Sequence, residues 1–135
     1  MNQRICYTIK GPKDFNQMRV LYDSLVWNSI NLTTDELKKM CEQSWYTLYA
    51  FDADELVGTA RVISDGIITA TICGVGVAPA YQSKGIGKEL MNRIIKYCEK
   101  QRVIPQLMCV DSLKPYYESL GFEEFATAMV KRINR

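Results

Sequence analysis

The sequence contains no histidine among its 135 residues, and this absence excludes several common mechanisms. A Ser-His-Asp triad, a Cys-His nucleophile pair and a histidine-ligated zinc site all need an imidazole. The five cysteines are widely spaced and odd in number, which is poor evidence for a disulfide framework or a cysteine-ligated metal. We therefore expect no metal cofactor, and we expect buried thiols in a reducing, cytoplasmic compartment.

A large charge excess and long apolar runs are also missing. The 17 basic and 15 acidic side chains give a formal net charge of +2, which is too small for tracking a phosphate backbone. No uninterrupted apolar run is long enough to cross a bilayer, and residues 1–10 lack the apolar stretch of a signal peptide. These absences predict that the protein has no nucleic-acid partner and no membrane partner.

The chain does have the length and the apolar content of one folded domain, which we expect to span residues 1–135. Hydrophobic periodicity predicts the element order β-α-α-β-β-β-α-β-α-β-β, an α+β or mixed α/β domain. Thr33 and Glu36 have the spacing of a capping box before the second helix. The predicted strands cover residues 5–9, 45–51, 56–63, 67–77, 107–110, 122–125 and 126–133.

The clearest helix has apolar residues at four-residue steps, at Ile86, Leu90, Ile94 and Cys98. A glycine-containing loop leads into it from the long strand at 67–77. The first amides of a helix have no internal partners and carry partial positive charge, so they bind anions. The sequence therefore predicts a site for a diphosphate-sized anion at the start of this helix.

Two common phosphate loops do not fit this segment. A Walker loop needs a glycine at the position of Gln82 and a Ser or Thr after the lysine, where Glu89 stands. A Rossmann fingerprint needs a third glycine at the position of Pro79.

The segment Gln82-Ser83-Lys84-Gly85-Ile86-Gly87 instead resembles the Q/R-x-x-G-x-G/A loop of the GCN5-related N-acetyltransferases, the GNAT superfamily. The later segment Pro115-Tyr116-Tyr117-Glu118-Ser119-Leu120-Gly121-Phe122 is similar to the family signature F/Y-Y-E-x-L-G-F. The predicted element order also matches the family along essentially the whole chain. This resemblance implies a central mixed, mostly antiparallel sheet flanked by helices.

The resemblance also implies roles for individual residues. The long strand would pair with the pantetheine arm of acetyl-CoA, and the amides of the loop would hold its pyrophosphate. Tyr117 matches the family tyrosine that acts as general acid towards the leaving thiolate, and Ser112 stands near a family asparagine that contacts pantetheine. The implied acetyl-CoA residues are Val75, Gly76, Val77, Gln82, Ser83, Lys84, Gly85, Ile86, Gly87, Lys88 and Ser112.

One position departs from part of the family. Many members have an acidic residue near the position of Gly74, but this chain has no carboxylate between residues 67 and 77. The proton of the attacking amine must then go to another carboxylate, a tyrosine or water. Asp111, Glu55 and Glu124 are candidates by elimination only, and Arg61 could face the acceptor groove or the solvent.

These features together predict an enzyme that transfers an acetyl group from acetyl-CoA to a primary amine by direct attack on the thioester. The acceptor, a small molecule or a peptide, is not specified by the sequence. A non-catalytic acyl-CoA sensor is the alternative, because the strand carboxylate is missing. The resemblance also implies a possible homodimer.

Overall fold

The computed structural model describes residues 4–135. A five-stranded sheet has the order β1-β2-β3-β4-β5, in which all pairs are antiparallel except β4 with β5, which are parallel. The expected GNAT-type architecture is thus present. The elements are β1 (Ile5–Thr8), α1 (Asn16–Ser24), α2 (Thr34–Gln43), β2 (Tyr46–Asp52), β3 (Glu55–Ser64), β4 (Thr69–Val77), α3 (Ile86–Gln101), β5 (Ile104–Leu107) and α4 (Lys114–Ser119).

Helices α1 and α2 pack on one face of the sheet. Their buried residues Met18, Leu21 and Leu37 form an apolar cluster with Tyr49 and Leu56 of the strands. The predicted capping box is confirmed at the start of α2. The Thr33 hydroxyl accepts from the amide of Glu36, and the Glu36 carboxylate accepts from the amide of Thr33. These bonds satisfy amides that have no partner within the helix.

Helix α3 packs on the opposite face and confirms the predicted amphipathic helix. Its apolar positions, including Leu90, Ile94 and Cys98, are fully buried against the sheet. Tyr117 of α4 packs against the same cluster. The two faces of the sheet are therefore covered by different helices, with α1 and α2 on one side and α3 and α4 on the other.

Strands β4 and β5 separate after a short paired region. Their ladder runs from Thr69 opposite Ile104 to Ile72 opposite Leu107. Beyond Ile72, β4 continues to Val77 without a partner on its β5 side. Because the other edge of β4 stays paired with β3, one side of residues 73–77 keeps unpaired backbone groups, as the resemblance implied.

The strand after α3 begins earlier in the chain than the sequence predicted. The structure places β5 at Ile104–Leu107, whereas the sequence predicted residues 107–110. In the structure Pro105 lies opposite Ala70 on an edge strand, where a proline is tolerated.

The two predicted C-terminal strands do not form in the structure. Residues 122–135 pair with no strand in the described part of the chain. Strand propensity depends on packing and on a paired neighbour, and this segment has no paired neighbour, although Phe122 packs against Tyr117. Its large apolar side chains therefore remain exposed, at Phe125, Met129, Val130 and Ile133.

The cysteines divide into three groups. Cys41 and Cys98 are buried and Cys73 is partly buried, but Cys6 and Cys109 are exposed, so the prediction of buried thiols was wrong for these two. All five are free. Within residues 4–135, no cluster of acidic, cysteine or histidine side chains is placed to hold a metal ion. In that same range, no helix combines the length and the apolarity that a membrane span needs.

Candidate active site

The loop between β4 and α3 presents free backbone amides. Gly85 immediately precedes the helix with φ of 86°, and no side chain caps the first turn. A left-handed φ is costly for a residue with a Cβ, which explains a glycine here. Ser83 also has a positive φ, of 62°, so the loop turns sharply before the helix begins. The amides at the start of α3 are therefore available to an anion.

Side-chain contacts hold this loop against the sheet. The Tyr81 hydroxyl donates to Asp52 Oδ2 at 2.6 Å, and this hydrogen bond raises the pKa of Tyr81 to about 12. The Gln82 side-chain amide donates to the carbonyl of Val77 at 2.9 Å. Lys84 Nζ lies 5.6 Å from the centre of the Tyr81 ring. Gln82, an expected acetyl-CoA residue, thus has a visible structural contact that joins the loop to the end of β4.

The rest of the expected loop is open to solvent. Ser83, Lys84, Gly85 and Lys88 are exposed, whereas Ile86 is buried in the core. The side chain of Ile86 therefore fixes the helix against the sheet, and only its backbone faces the loop. The two exposed lysines place positive charge beside the free amides.

The unpaired edge of β4 is covered on one face by the connection after α1. A Cβ at Gly76 would lie 2.6 Å from Leu25 Cδ1 and 2.6 Å from Trp27 Cη2. No side chain fits in that gap, so Gly76 is required by close packing. Val75 is partly buried and Val77 is buried, which leaves the backbone of this segment as its main polar surface.

Tyr117 lies on the other face of the sheet, in α4. Its ring is partly buried and packs edge-on against Phe122, with 6.1 Å between ring centres. Burial, then the neighbouring Tyr116 and Cys109, raise the pKa of Tyr117. Its neighbour Tyr116 is 39% exposed. Tyr117 is thus the more enclosed phenol of the pair, and it stays protonated at neutral pH.

Ser112 lies in a 3-10 turn, Asp111–Leu113, that leads into α4. Asp111 and Ser112 are exposed, and neither side chain caps that turn or the helix. Pro115 lies in the first turn of α4, and Gly121 follows the end of this helix with φ of 97°.

The three candidate bases are separated in the structure. Glu55 accepts from the Tyr81 hydroxyl at 3.4 Å, and the Glu124 carboxylate lies 3.3 Å from Lys114 Nζ. Asp111 is exposed. Two of the three therefore have other partners in the structure.

Sequence reasoning did not predict that Tyr22 and Arg61 lie beside Gly74. Gly74 has φ of 61°, next to an irregular stretch in the β3–β4 pairing between Thr59 and Arg61. The position of a Cβ at Gly74 would be 3.2 Å from Tyr22 Oη and 3.4 Å from Arg61 Nε. Side chains alternate between the two faces of a regular strand. This alternation does not predict the face on which Arg61 lies, because the irregular pairing interrupts the β3–β4 ladder.

The sequence matches the family model of the acetyltransferase (GNAT) domain over residues 17–132. It is 38% identical to the histone acetyltransferase TAP1 of Glycine max over 69 residues, which are 50% of this chain and 30% of that protein. It is 27% identical to an uncharacterized ycf52-like N-acetyltransferase of Prochlorococcus marinus over 114 residues, which are 81% of this chain and 62% of that protein. The chain thus spans less than two thirds of the length of either relative.

A solved structure of a Trypanosoma brucei acetyltransferase shares the fold. The TM-score is 0.80 at 20% sequence identity, and the match covers 96% of this chain and all of the other, 100%. The family model covers most of the chain, including the loop before α3, the unpaired edge of β4 and Tyr117. The chain belongs to the GNAT family of acetyltransferases.

Proposed function

We propose that this protein transfers an acetyl group from acetyl-CoA to a primary amine. The observation that carries the proposal is the unpaired edge of β4 at residues 73–77, which leads directly into the uncapped start of α3. An extended amide chain that ends in a diphosphate matches these two features in order. Acetyl-CoA has that chemistry, since its pantetheine arm carries amides and ends at a pyrophosphate.

The residues at the site suit this co-substrate. The backbone of Val75, Gly76 and Val77 would pair with the pantetheine amides as a further strand would. The amides from Ser83 to Lys88 would bind the pyrophosphate, with the charges of Lys84 and Lys88 beside them. Ser112, exposed before α4, would add a hydroxyl near the pantetheine arm.

The proposed reaction uses the same part of the molecule. The amine nitrogen attacks the thioester carbonyl, a C–N bond forms, and a β4 amide near Val75 stabilises the oxyanion. The C–S bond then breaks, and the Tyr117 hydroxyl gives its proton to the thiolate of CoA. The amine must lose a proton, which passes to water. Bulk solvent restores the proton of Tyr117, and no covalent enzyme intermediate is needed.

The first test separates this enzyme from a non-catalytic acyl-CoA sensor. We expect acetyl-CoA to raise the melting temperature, since it binds the folded state only. We also expect thiol release when a panel of chemically varied amines is added with acetyl-CoA. A raised melting temperature without thiol release from any amine would favour the sensor, and an unchanged melting temperature would contradict both functions.

We propose a small-molecule or peptide acceptor, and neither a nucleic acid nor a membrane as partner. The formal net charge of +2 supports this, because phosphate-rich partners select a strong basic excess. We also propose a cytoplasmic location. The five free cysteines support it, since exposed thiols such as Cys6 and Cys109 persist in reducing compartments.

We further propose a homodimer that forms through the C-terminal segment. Phe125, Met129, Val130 and Ile133 are each at least 72% exposed, and β5 is an edge strand with one unpaired side. Exposed apolar residues and an open strand edge each favour association.

Light scattering after size exclusion tests the dimer. The wild type should have twice the 15.5 kDa chain mass, and a variant with Phe125→Asp and Val130→Asp should be monomeric. Ile9→Asp is the matched control, because Ile9 is 66% exposed next to β1 at the opposite edge of the sheet. A monomeric wild type, or a dimer that survives the double substitution, would contradict this interface.

A further inference from the structure

Arg61 of β3 has an enclosed nitrogen without a partner. Its Nε is buried and makes no hydrogen bond to any of residues 4–135. Burying a polar group without a partner is unfavourable, and the penalty is larger for a charged group. Such an atom in a native structure calls for a functional or structural reason.

The stem of Arg61 is held in place, but its tip is accessible. Tyr22 of α1 and Gly74 of β4 enclose the side chain up to Nε. The two terminal nitrogens of Arg61 are not among the enclosed atoms that lack a partner, and Tyr22 is a hydrogen-bond partner of the guanidinium. The guanidinium is therefore held at its base and by Tyr22, and its remaining terminal donors are open to a ligand.

No counter-ion accompanies this charge. Among residues 4–135, no carboxylate lies within ion-pair distance of Arg61. The polar side chain beside it, Tyr22, is a phenol whose pKa is raised by burial, against a smaller lowering by the charge of Arg61 and by a hydrogen bond with it, so Tyr22 is neutral and is no counter-ion. Cys73, opposite Arg61 in the β3–β4 ladder, has a thiol whose pKa burial also raises. The surroundings thus leave one full positive charge for a ligand to neutralise.

Arg61 lies beside the segment that is proposed to carry the thioester. Its side chain shares the α1 face of the sheet with Tyr22, next to Gly74, and Gly74 precedes Val75 on the unpaired edge. Tyr117 packs with α3 on the opposite face. An acceptor that approaches from the α1 face would thus meet Arg61, while Tyr117 protonates the leaving thiolate from the other side.

We propose that Arg61 selects amine acceptors that carry a carboxylate close to the reacting amine, as amino acids do. This inference rests on the proposed acetyl transfer and names its acceptor class. A planar guanidinium with two free donors matches a carboxylate in a two-point pair. That pair would provide the missing counter-ion and would orient the amine towards the thioester.

The test compares free amino acids with the corresponding amino acid amides as acceptors, at saturating acetyl-CoA. The wild type should favour the carboxylate form by about tenfold or more in kcat/KM for the acceptor. Arg61→Gln should remove this preference without changing the KM of acetyl-CoA. Arg61→Lys should keep part of it, because the charge is kept and the two-point geometry is lost. Arg132→Gln, which removes one charge from an exposed position, should leave the preference intact.

Binding of the products supplies a readout that does not depend on turnover. With CoA present, N-acetyl amino acids should raise the melting temperature of the wild type more than their amides do, and this difference should vanish in Arg61→Gln. If the melting temperatures show this difference while no amine releases thiol, Arg61 does bind a carboxylate, but the proposed acetyl transfer is wrong. Equal responses of the wild type to carboxylates and amides, in rate or in binding, would overturn the proposal, even if Arg61→Gln does not fold.

Discussion

Replacing Tyr117 with phenylalanine should lower kcat by about 100-fold, a typical loss when a general acid is removed. The substitution deletes one hydroxyl and keeps the ring that packs against Phe122. The fold should therefore be unaffected, and the KM of acetyl-CoA should change by no more than about twofold. Steady-state kinetics at varied acetyl-CoA with a fixed acceptor measure both quantities.

Tyr116→Phe is the matched control for this substitution. It removes the same hydroxyl from the adjacent residue, which is 39% exposed and packs edge-on against Tyr117, with 5.0 Å between ring centres. Its kcat should equal that of the wild type. If Tyr117→Phe also retained full turnover, the thiolate would have to leave without a proton from Tyr117, and the assignment would be wrong.

The pH dependence of kcat provides a second signature of Tyr117. Burial raises the pKa of this phenol, so the protonated acid is present throughout the neutral range. The acid is lost only as the pH rises through that elevated pKa, and kcat should fall there in the wild type. The alkaline fall should be absent in Tyr117→Phe, which has no proton to lose. An identical profile in both proteins would assign the alkaline limb to another group.

Local signals explain why the loop before α3 and the helix itself could be predicted from the sequence. The loop has a glycine at position 85, where φ is 86°, and α3 needs an apolar stripe, so both constraints leave a pattern in the residues. The capping box of Thr33 and Glu36 is equally local. Each of these features depends on neighbours within a few positions of the chain.

The features that the sequence did not predict depend on contacts with distant parts of the chain. The tail at 126–133 has strand-forming residues, but a strand also needs pairing with another strand, and no pairing with the open edge of β5 forms. The environment of Arg61 depends on irregular β3–β4 pairing and on Tyr22, which is 39 positions earlier in the sequence. Neither contact leaves a periodic signal, so the surroundings of Arg61 became visible only in the structure.

Replacing Gly85 with alanine should weaken acetyl-CoA binding by about tenfold or more, the loss expected when one or two hydrogen bonds to a charged group are removed. Gly85 has φ of 86°, a conformation that costs a residue with a Cβ roughly 1–2 kcal/mol. No atom lies within 4 Å of the new Cβ, so strain in the loop is the only local penalty. The loop should relax, and its amides should lose their alignment with the pyrophosphate. The Kd of acetyl-CoA by calorimetry measures this loss.

Two further glycines separate a binding effect from general strain. Gly121 also has a positive φ, of 97°, and open space around its Cβ position, but it lies after α4. Gly121→Ala should therefore lose a similar free energy of unfolding with an unchanged Kd. At Gly87, a Cβ would meet Val77 Cγ2 at an ordinary 3.7 Å, and no positive φ opposes it, so Gly87→Ala should leave the free energy of unfolding nearly unchanged. A similar loss of affinity in Gly121→Ala would mean that strain anywhere weakens binding, and the amides before α3 would lose their assigned role.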